Sequence, residues 1–199
     1  VASHAHPAGR IGPNAVIRLA EAATALEGAA TATRVFRGAG LEHYLETPPE
    51  ALVPEAEVAA LQAGLRTALG DRRAGTAAWI AGQRTADYVI AHRIPPAVRG
   101  LLLMLPAAPA SRLLLRAIAA HAWTFVGSGR LTIRPGRPVI LSVADCPLCR
   151  RAHAPEPVCT FYAATFERLF ARLVHPAASA RETECSAAGG AACRFTIAW

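Results

Sequence analysis

The chain has 199 residues, 53% of them apolar, with 21 basic and 14 acidic residues and a formal charge of +7. That length suits one domain with a core of its own, so its five cysteines are not needed to substitute for one. Every base is an arginine, which excludes a Schiff-base or phosphate-loop lysine, and the arginines lack the interleaved aromatics of a nucleic-acid stacking platform.

Residues 1–12, with His4, His6 and two glycines, read as a disordered tail. From Pro13 to Phe36 the chain is alanine-rich, with Val16, Leu19, Ala20, Ala23 and Leu26 at helical spacing and Gly38 and Gly40 closing the segment. Thr47-Pro48-Pro49 breaks the pattern. Pro54 then opens a helix whose apolar row is Val58, Leu61, Leu65 and Leu69, ended by Gly70. A further helix over 74–92 turns Trp79, Ala86, Val89 and Ile90 inward and stops at Arg93-Ile94-Pro95-Pro96. The next amphipathic segment, Val98 to Leu105, is far short of the ~20 apolar residues of a membrane span. Ser111 is placed to cap a helix from Arg112 to Phe125, with Leu114, Leu115, Ile118 and Ala122 inward.

After Gly127-Ser128-Gly129 the period changes from helical to alternating. Leu131 and Ile133, then Val139, Leu141 and Val143, predict two strands joined at Pro135-Gly136. Residues 159–173 return to helical spacing at Tyr162, Phe166, Leu169, Phe170 and Leu173. Arg181 to Cys185 and Ala192 to Ala198 alternate again, around a Gly-rich hairpin connection. The fold class is therefore α+β: N-terminal helices, then an antiparallel sheet in the order strand–strand–helix–strand–strand. The helical part spans 13–126 and the sheet part 127–199, together one compact domain.

All five cysteines fall between residues 145 and 197. Cys159 opens the helix on its buried face, and the hairpin brings Cys185 and Cys193 together. Three thiols then converge, and Cys146 or Cys149 of Cys146-Pro147-Leu148-Cys149 can supply a fourth. Tetrahedral zinc takes such a set, and a closed four-ligand shell is structural. The competing reading is five buried thiols acting as small apolar side chains. Disulfides are disfavoured by the odd count and by an N-terminus unlike a secretory signal. Between the two knuckle cysteines, Cys149 is the slightly favoured ligand.

His121, Trp123 and Phe125, at the end of their helix, are candidates to line a pocket for a flat ring, the imidazole near a metal at that ring's centre. No nicotinamide-binding motif is found: Gly127-Ser128-Gly129-Arg130-Leu131-Thr132 leads into a strand, whereas the dinucleotide fingerprint leaves one. No Gly-x-Ser-x-Gly elbow, His-Glu-x-x-His or paired carboxylate dyad is found either, so no catalytic residue is assigned.

Ala122-Trp123-Thr124-Phe125-Val126-Gly127-Ser128-Gly129, Glu156-Pro157-Val158-Cys159 and Arg181-Glu182-Thr183-Glu184-Cys185 with Gly189-Gly190-Ala191-Ala192-Cys193-Arg194-Phe195 resemble the 4-vinyl-reductase domain family. Arg84-Thr85-Ala86-Asp87-Tyr88 and Arg93-Ile94-Pro95 resemble its branch in bacteriochlorophyll biosynthesis. The resemblance implies a ligand-binding fold akin to subunits of the TRAPP vesicle-tethering complex, often a homodimer. Relatives in phenol-sensing transcription activators hold zinc through three cysteines, matching Cys159, Cys185 and Cys193, and a glutamate with no evident counterpart in this sequence. The implied role is to bind or deliver a Mg-tetrapyrrole intermediate, a divinyl protochlorophyllide or chlorophyllide, with structural zinc. The alternatives are the vinyl reductase acting on that intermediate and a small-molecule-sensing module. The expected setting is the cytoplasm or the face of the inner membrane, with other pigment-forming enzymes as partners and no nucleic acid.

Overall fold

Prolines and glycines set most helix borders in the computed structural model, which describes residues 9–150 and 152–199. The expected tail is shorter than read: β1 (Arg10–Ile11) pairs antiparallel with β2 (Val53–Pro54), and Ile11 is buried. Its first eight residues, His4 and His6 among them, lie outside the described residues. The alanine-rich segment is two helices rather than one. α1 (Asn14–Glu27) and α2 (Ala29–Gly38) meet at Gly28, whose φ of 80° is a conformation glycine adopts readily. Leu26, read as part of the inward row, is exposed beside that break, while Val35 and Phe36 of α2 are buried.

After the single turn of α3 (His43–Glu46) and β2, α4 (Glu55–Leu69) buries Val58, Leu61 and Leu65, as its spacing predicts. α5 (Asp71–His92) is the longest helix, and its buried face is made of small residues from Ala74 to Ala86. α6 (Pro96–Met104), α7 (Ala107–Ala120) and α8 (Trp123–Val126) complete the helical part. Ser111 is no cap. It lies inside α7, buried, because Pro109 falls in the first turn, where proline's missing N–H has no helical partner to lose.

β3 (Arg130–Arg134), β4 (Val139–Ala144), α9 (Thr160–Leu173), β5 (Ser179–Glu184) and β6 (Cys193–Ala198) follow, the strands forming one antiparallel sheet in the order β3-β4-β6-β5. This is the expected α+β arrangement. Alternation puts Val139, Leu141 and Val143 of β4 and Cys193, Phe195 and Ile197 of β6 in the core. α9 is packed between the sheet and α5, and the α5–α9 crossing is close. A Cβ on Gly82 would lie 2.3 Å from the Phe161 carbonyl oxygen and 2.9 Å from the Ala164 Cβ, so only glycine fits there. One hydrophobic core runs through helices and sheet alike.

Candidate metal centre

All five cysteines are buried, free thiols, and four pieces of chain bring them together. Cys146 and Cys149 lie on the loop after β4, which turns at Asp145 with φ 53°. Cys159 sits at the N-terminus of α9, Cys185 just after β5, and Cys193 opens β6. The Gly-rich connection closes as expected: Gly189 takes φ 87°, and the Gly190 N–H donates to the Cys185 carbonyl at 2.9 Å. The Ala154 N–H donates to the Ala187 carbonyl at 2.9 Å and fastens the knuckle loop to the hairpin.

The sulfur spacings are 3.4 Å for Cys149–Cys193, 3.6 Å for Cys146–Cys159 and Cys159–Cys193, 3.8 Å for Cys185–Cys193 and 4.0 Å for Cys149–Cys185. A tetrahedron of thiolates at the ~2.3 Å zinc–sulfur distance has edges of about 3.8 Å. The donors therefore fit a single tetrahedral ion.

A sixth donor, Glu182, is missed by the sequence reading. Glu182 pairs with Phe195 and Glu184 with Arg194, so β5 carries one extra residue, Thr183, at a bulge. The bulge reverses the alternation of side chains. Glu182 and Cys185, three residues apart, consequently face the same interior. The Cys159 N–H donates to Glu182 Oε2 at 2.7 Å, while Oε1 is buried with no hydrogen-bond partner. Two four-donor sets result: Cys146, Cys149, Cys159 and Cys193, or Cys159, Glu182, Cys185 and Cys193. Cys159 and Cys193 belong to both.

The cluster is electrostatically frustrated by itself. Hydrogen bonding within the thiol cluster, from Cys146 foremost, draws Cys193 down to about 5, whereas contact with Cys146 foremost pushes Cys149 up to about 12. Burial, then the neighbouring Cys185, raises the Glu182 carboxyl to about 9. Some donors stay protonated only because others are charged. A bound cation replaces those protons and removes the conflict. The cluster can therefore hold a metal ion.

The three aromatic candidates do not act together. Phe125 turns inward and packs edge-on against Tyr162 and Phe166, with centroids 5.9 and 6.1 Å away. His121 is exposed, its Nδ1 lying 2.9 Å from the Ala117 carbonyl oxygen, and Trp123 is 59% exposed.

Instead, the loop that carries the knuckle cysteines walls a groove of about 670 Å³ whose other side is α4. Ala56, Ala59, Ala60 and Ala63 form an apolar floor, and Arg66, Arg150 and His153 supply cationic or imidazole groups along its lining. Behind it, buried Glu55 accepts from the Ser128 N–H at 2.8 Å, from the Ser128 hydroxyl at 2.6 Å and from the Arg150 guanidinium. Burial alone raises the Glu55 carboxyl, but these bonds and the Arg150 charge outweigh it and hold the group below its ordinary 4.5. No short-range signal announces this cluster, since Ser128 and Arg150 are 73 and 95 residues from Glu55.

An α+β domain with a metal-competent thiol–carboxylate cluster at its hairpin is what the fold and site define. The 4-vinyl-reductase domain family is matched over residues 139–198, the part that holds all five cysteines. The bacteriochlorophyll synthase 23 kDa chain of Cereibacter sphaeroides is 40% identical over 188 residues, covering 94% of this chain and 90% of that protein. The protein of the same name from Rhodobacter capsulatus is 39% identical over 189 residues, covering 94% and 86%. The chain belongs to this family of bacteriochlorophyll biosynthesis proteins with a 4-vinyl-reductase domain. Among solved structures, the phenol-responsive sensory domain of the transcription activator PoxR is similar with a TM-score of 0.46 and 21% identity, over 74% of this chain and 75% of that one.

Proposed function

We propose that the chain binds and delivers a Mg-tetrapyrrole intermediate, of the divinyl protochlorophyllide or chlorophyllide type, and that zinc staples the loop walling the pigment site. The observation that carries this reading is the shared loop: Cys146 and Cys149 sit in the metal cluster, while Pro147, Arg150 and His153 of the same loop line the alanine-floored groove. An apolar floor suits a flat macrocycle, guanidinium groups suit its propionate, and the exposed His153 imidazole suits its magnesium. The names of the relatives support the pathway. Zinc takes Cys159, Glu182, Cys185 and Cys193, because the unpartnered Glu182 oxygen lies among those three sulfurs. Cys146 and Cys149 remain as the adjoining thiol pair. The protein is proposed to act as a homodimer beside other pigment-forming enzymes, which sizing chromatography and co-purification test.

The deciding assay incubates the purified protein with a divinyl chlorophyllide, once with NADPH and once with a reduced ferredoxin-type donor. The expected result is a shifted pigment absorption band, stoichiometric binding and no monovinyl product. Catalytic turnover by the protein alone would overturn the carrier reading in favour of a vinyl reductase. His153→Ala is expected to weaken pigment binding more than His121→Ala; the reverse order would move the pigment to the end of α7.

A further inference from the structure

Charge is segregated along this chain. From Tyr88 to Ala144 there is no aspartate or glutamate but there are seven arginines, so this stretch alone accounts for the net charge of +7. It holds α6, α7, α8 and β3. Every ion pair among the described residues uses an arginine from outside it. Arg93, Arg112 and Arg116 are instead exposed to solvent.

The same stretch exposes apolar surface. On α6, Leu101 is 50% exposed, Leu103 64% and Met104 86%, and only Leu102 of that helix is buried. The one polar residue of α6, Arg99, turns back and donates to the Ile90 carbonyl at 3.3 Å. The outward face of α6 is therefore wholly apolar, and unpaired cations border it on the preceding turn and on α7. A monomeric protein ordinarily hides such a patch. No helix among the described residues is long and apolar enough to cross a membrane, so the patch is not part of a spanning helix.

A nucleic acid would engage the arginines but offers no place for leucine and methionine side chains. An anionic bilayer takes both: phosphates for the guanidinium groups and an acyl boundary for the apolar face. The absence of any carboxylate over this stretch removes the repulsion such a surface would otherwise meet. We propose that α6 is a membrane-docking helix, with Leu101, Leu103 and Met104 entering the headgroup–acyl boundary of an anionic bilayer and Arg93, Arg112 and Arg116 facing lipid phosphates. This gives the expected peripheral membrane contact a defined surface, and it stands independently of the pigment assignment.

The test is flotation of the zinc-loaded full chain with vesicles of pure phosphatidylcholine and of phosphatidylcholine mixed with phosphatidylglycerol. Binding is expected to the mixed vesicles only and to weaken at high salt. The double substitution Leu103→Glu/Met104→Glu is expected to lower partitioning at least about tenfold, because two large apolar side chains no longer enter the bilayer. Leu26→Glu, at an exposed leucine on α1, should leave it unchanged. Circular dichroism and pigment binding in solution, measured on the same double variant, show whether its fold and pigment groove are intact. Retained pigment binding with lost flotation supports the docking helix by itself. Failure of the unsubstituted protein to float with anionic vesicles overturns the proposal, as does equal flotation of the double variant. So does a solution dimer that Leu103→Glu/Met104→Glu converts to a monomer while neither chain binds vesicles, which would make α6 a self-association face.

Discussion

Two buried polar clusters grip the loop after β4 from opposite sides, and they are satisfied in opposite ways. At Glu55 the charges balance within the protein: one carboxylate meets the Ser128 N–H and hydroxyl and the Arg150 guanidinium, and Arg150 also donates to the Asp145 carbonyl at 2.7 Å. At the cysteines they do not. Five thiols and a carboxylate share a volume with no cationic side chain, and the Glu182 Oε1 atom has no partner. A buried polar cluster with internal charge balance is structure; one with surplus donors of a single sign is a site for an ion. The comparison also explains why the same loop bears both clusters, since Cys146, Cys149 and Arg150 are nearly consecutive.

The sharpest way to break this comparison is to remove a donor common to both sulfur sets. Cys193→Ser is expected to abolish metal binding and lower stability by about 3 kcal/mol or more, because metal-binding free energy is folding free energy at such a site. Metal analysis should give one zinc per chain for the unsubstituted protein and none for the variant. Equal thermal stability of the two, both measured free of metal and with zinc, would show that the thiols are merely buried side chains.

A smaller effect separates the two donor sets. Glu182→Gln is expected to cost about 2 kcal/mol of zinc-dependent stability, since a neutral amide replaces a charged ligand. Cys149→Ser should keep zinc nearly as tightly. The opposite ranking, read from zinc retention against a competing chelator, would place the ion among Cys146, Cys149, Cys159 and Cys193.

The legibility of the cysteine cluster is uneven for a physical reason. Cys159 can be placed because helical periodicity along α9 is regular, and Cys185 and Cys193 because a Gly-rich turn pairs residues that flank it. Glu182 is invisible because strict alternation from Cys185 puts it on the opposite face; only the extra residue at Thr183 turns it inward. The resemblance implies a glutamate, and a glutamate three residues before a cysteine is the one local hint available. The same limit applies to the helices. α4 and α9 follow their apolar rows, but the Gly28 break divides a segment whose alanines keep helical spacing on both sides. Contacts as distant in sequence as Glu55 and Arg150 leave no periodic trace at all.

On the balanced side, Glu55→Gln is expected to destabilise the fold by about 1–2 kcal/mol at neutral pH, by weakening charge-assisted bonds and leaving Arg150 without its counter-charge. Zinc content should not change, because Glu55 belongs to neither donor set. Chemical denaturation at matched zinc activity measures the first, and metal analysis the second. Loss of zinc from this variant would mean that the two clusters are one cooperative unit.

The smallest expected effect is the pH dependence of that gap, and its sign follows from the Glu55 environment. The hydrogen bonds and the Arg150 charge hold the folded carboxyl below its ordinary 4.5. A group with a depressed folded pKa contributes stability that is fully present above its unfolded value and is lost as pH falls through the folded value. The stability difference between the unsubstituted protein and Glu55→Gln should therefore be level from neutrality down to about pH 5 and narrow with further acidification, by less than about 1 kcal/mol at first. Protonation of thiolates releases metal over part of the same range, but it affects both proteins alike and cancels in the difference. Parallel denaturation curves at stepped pH, each with and without zinc, read the gap directly. A gap that widens on acidification would mean that Glu55 is protonated more readily in the fold than in the unfolded chain, and the balanced cluster would then be as frustrated as the cysteines.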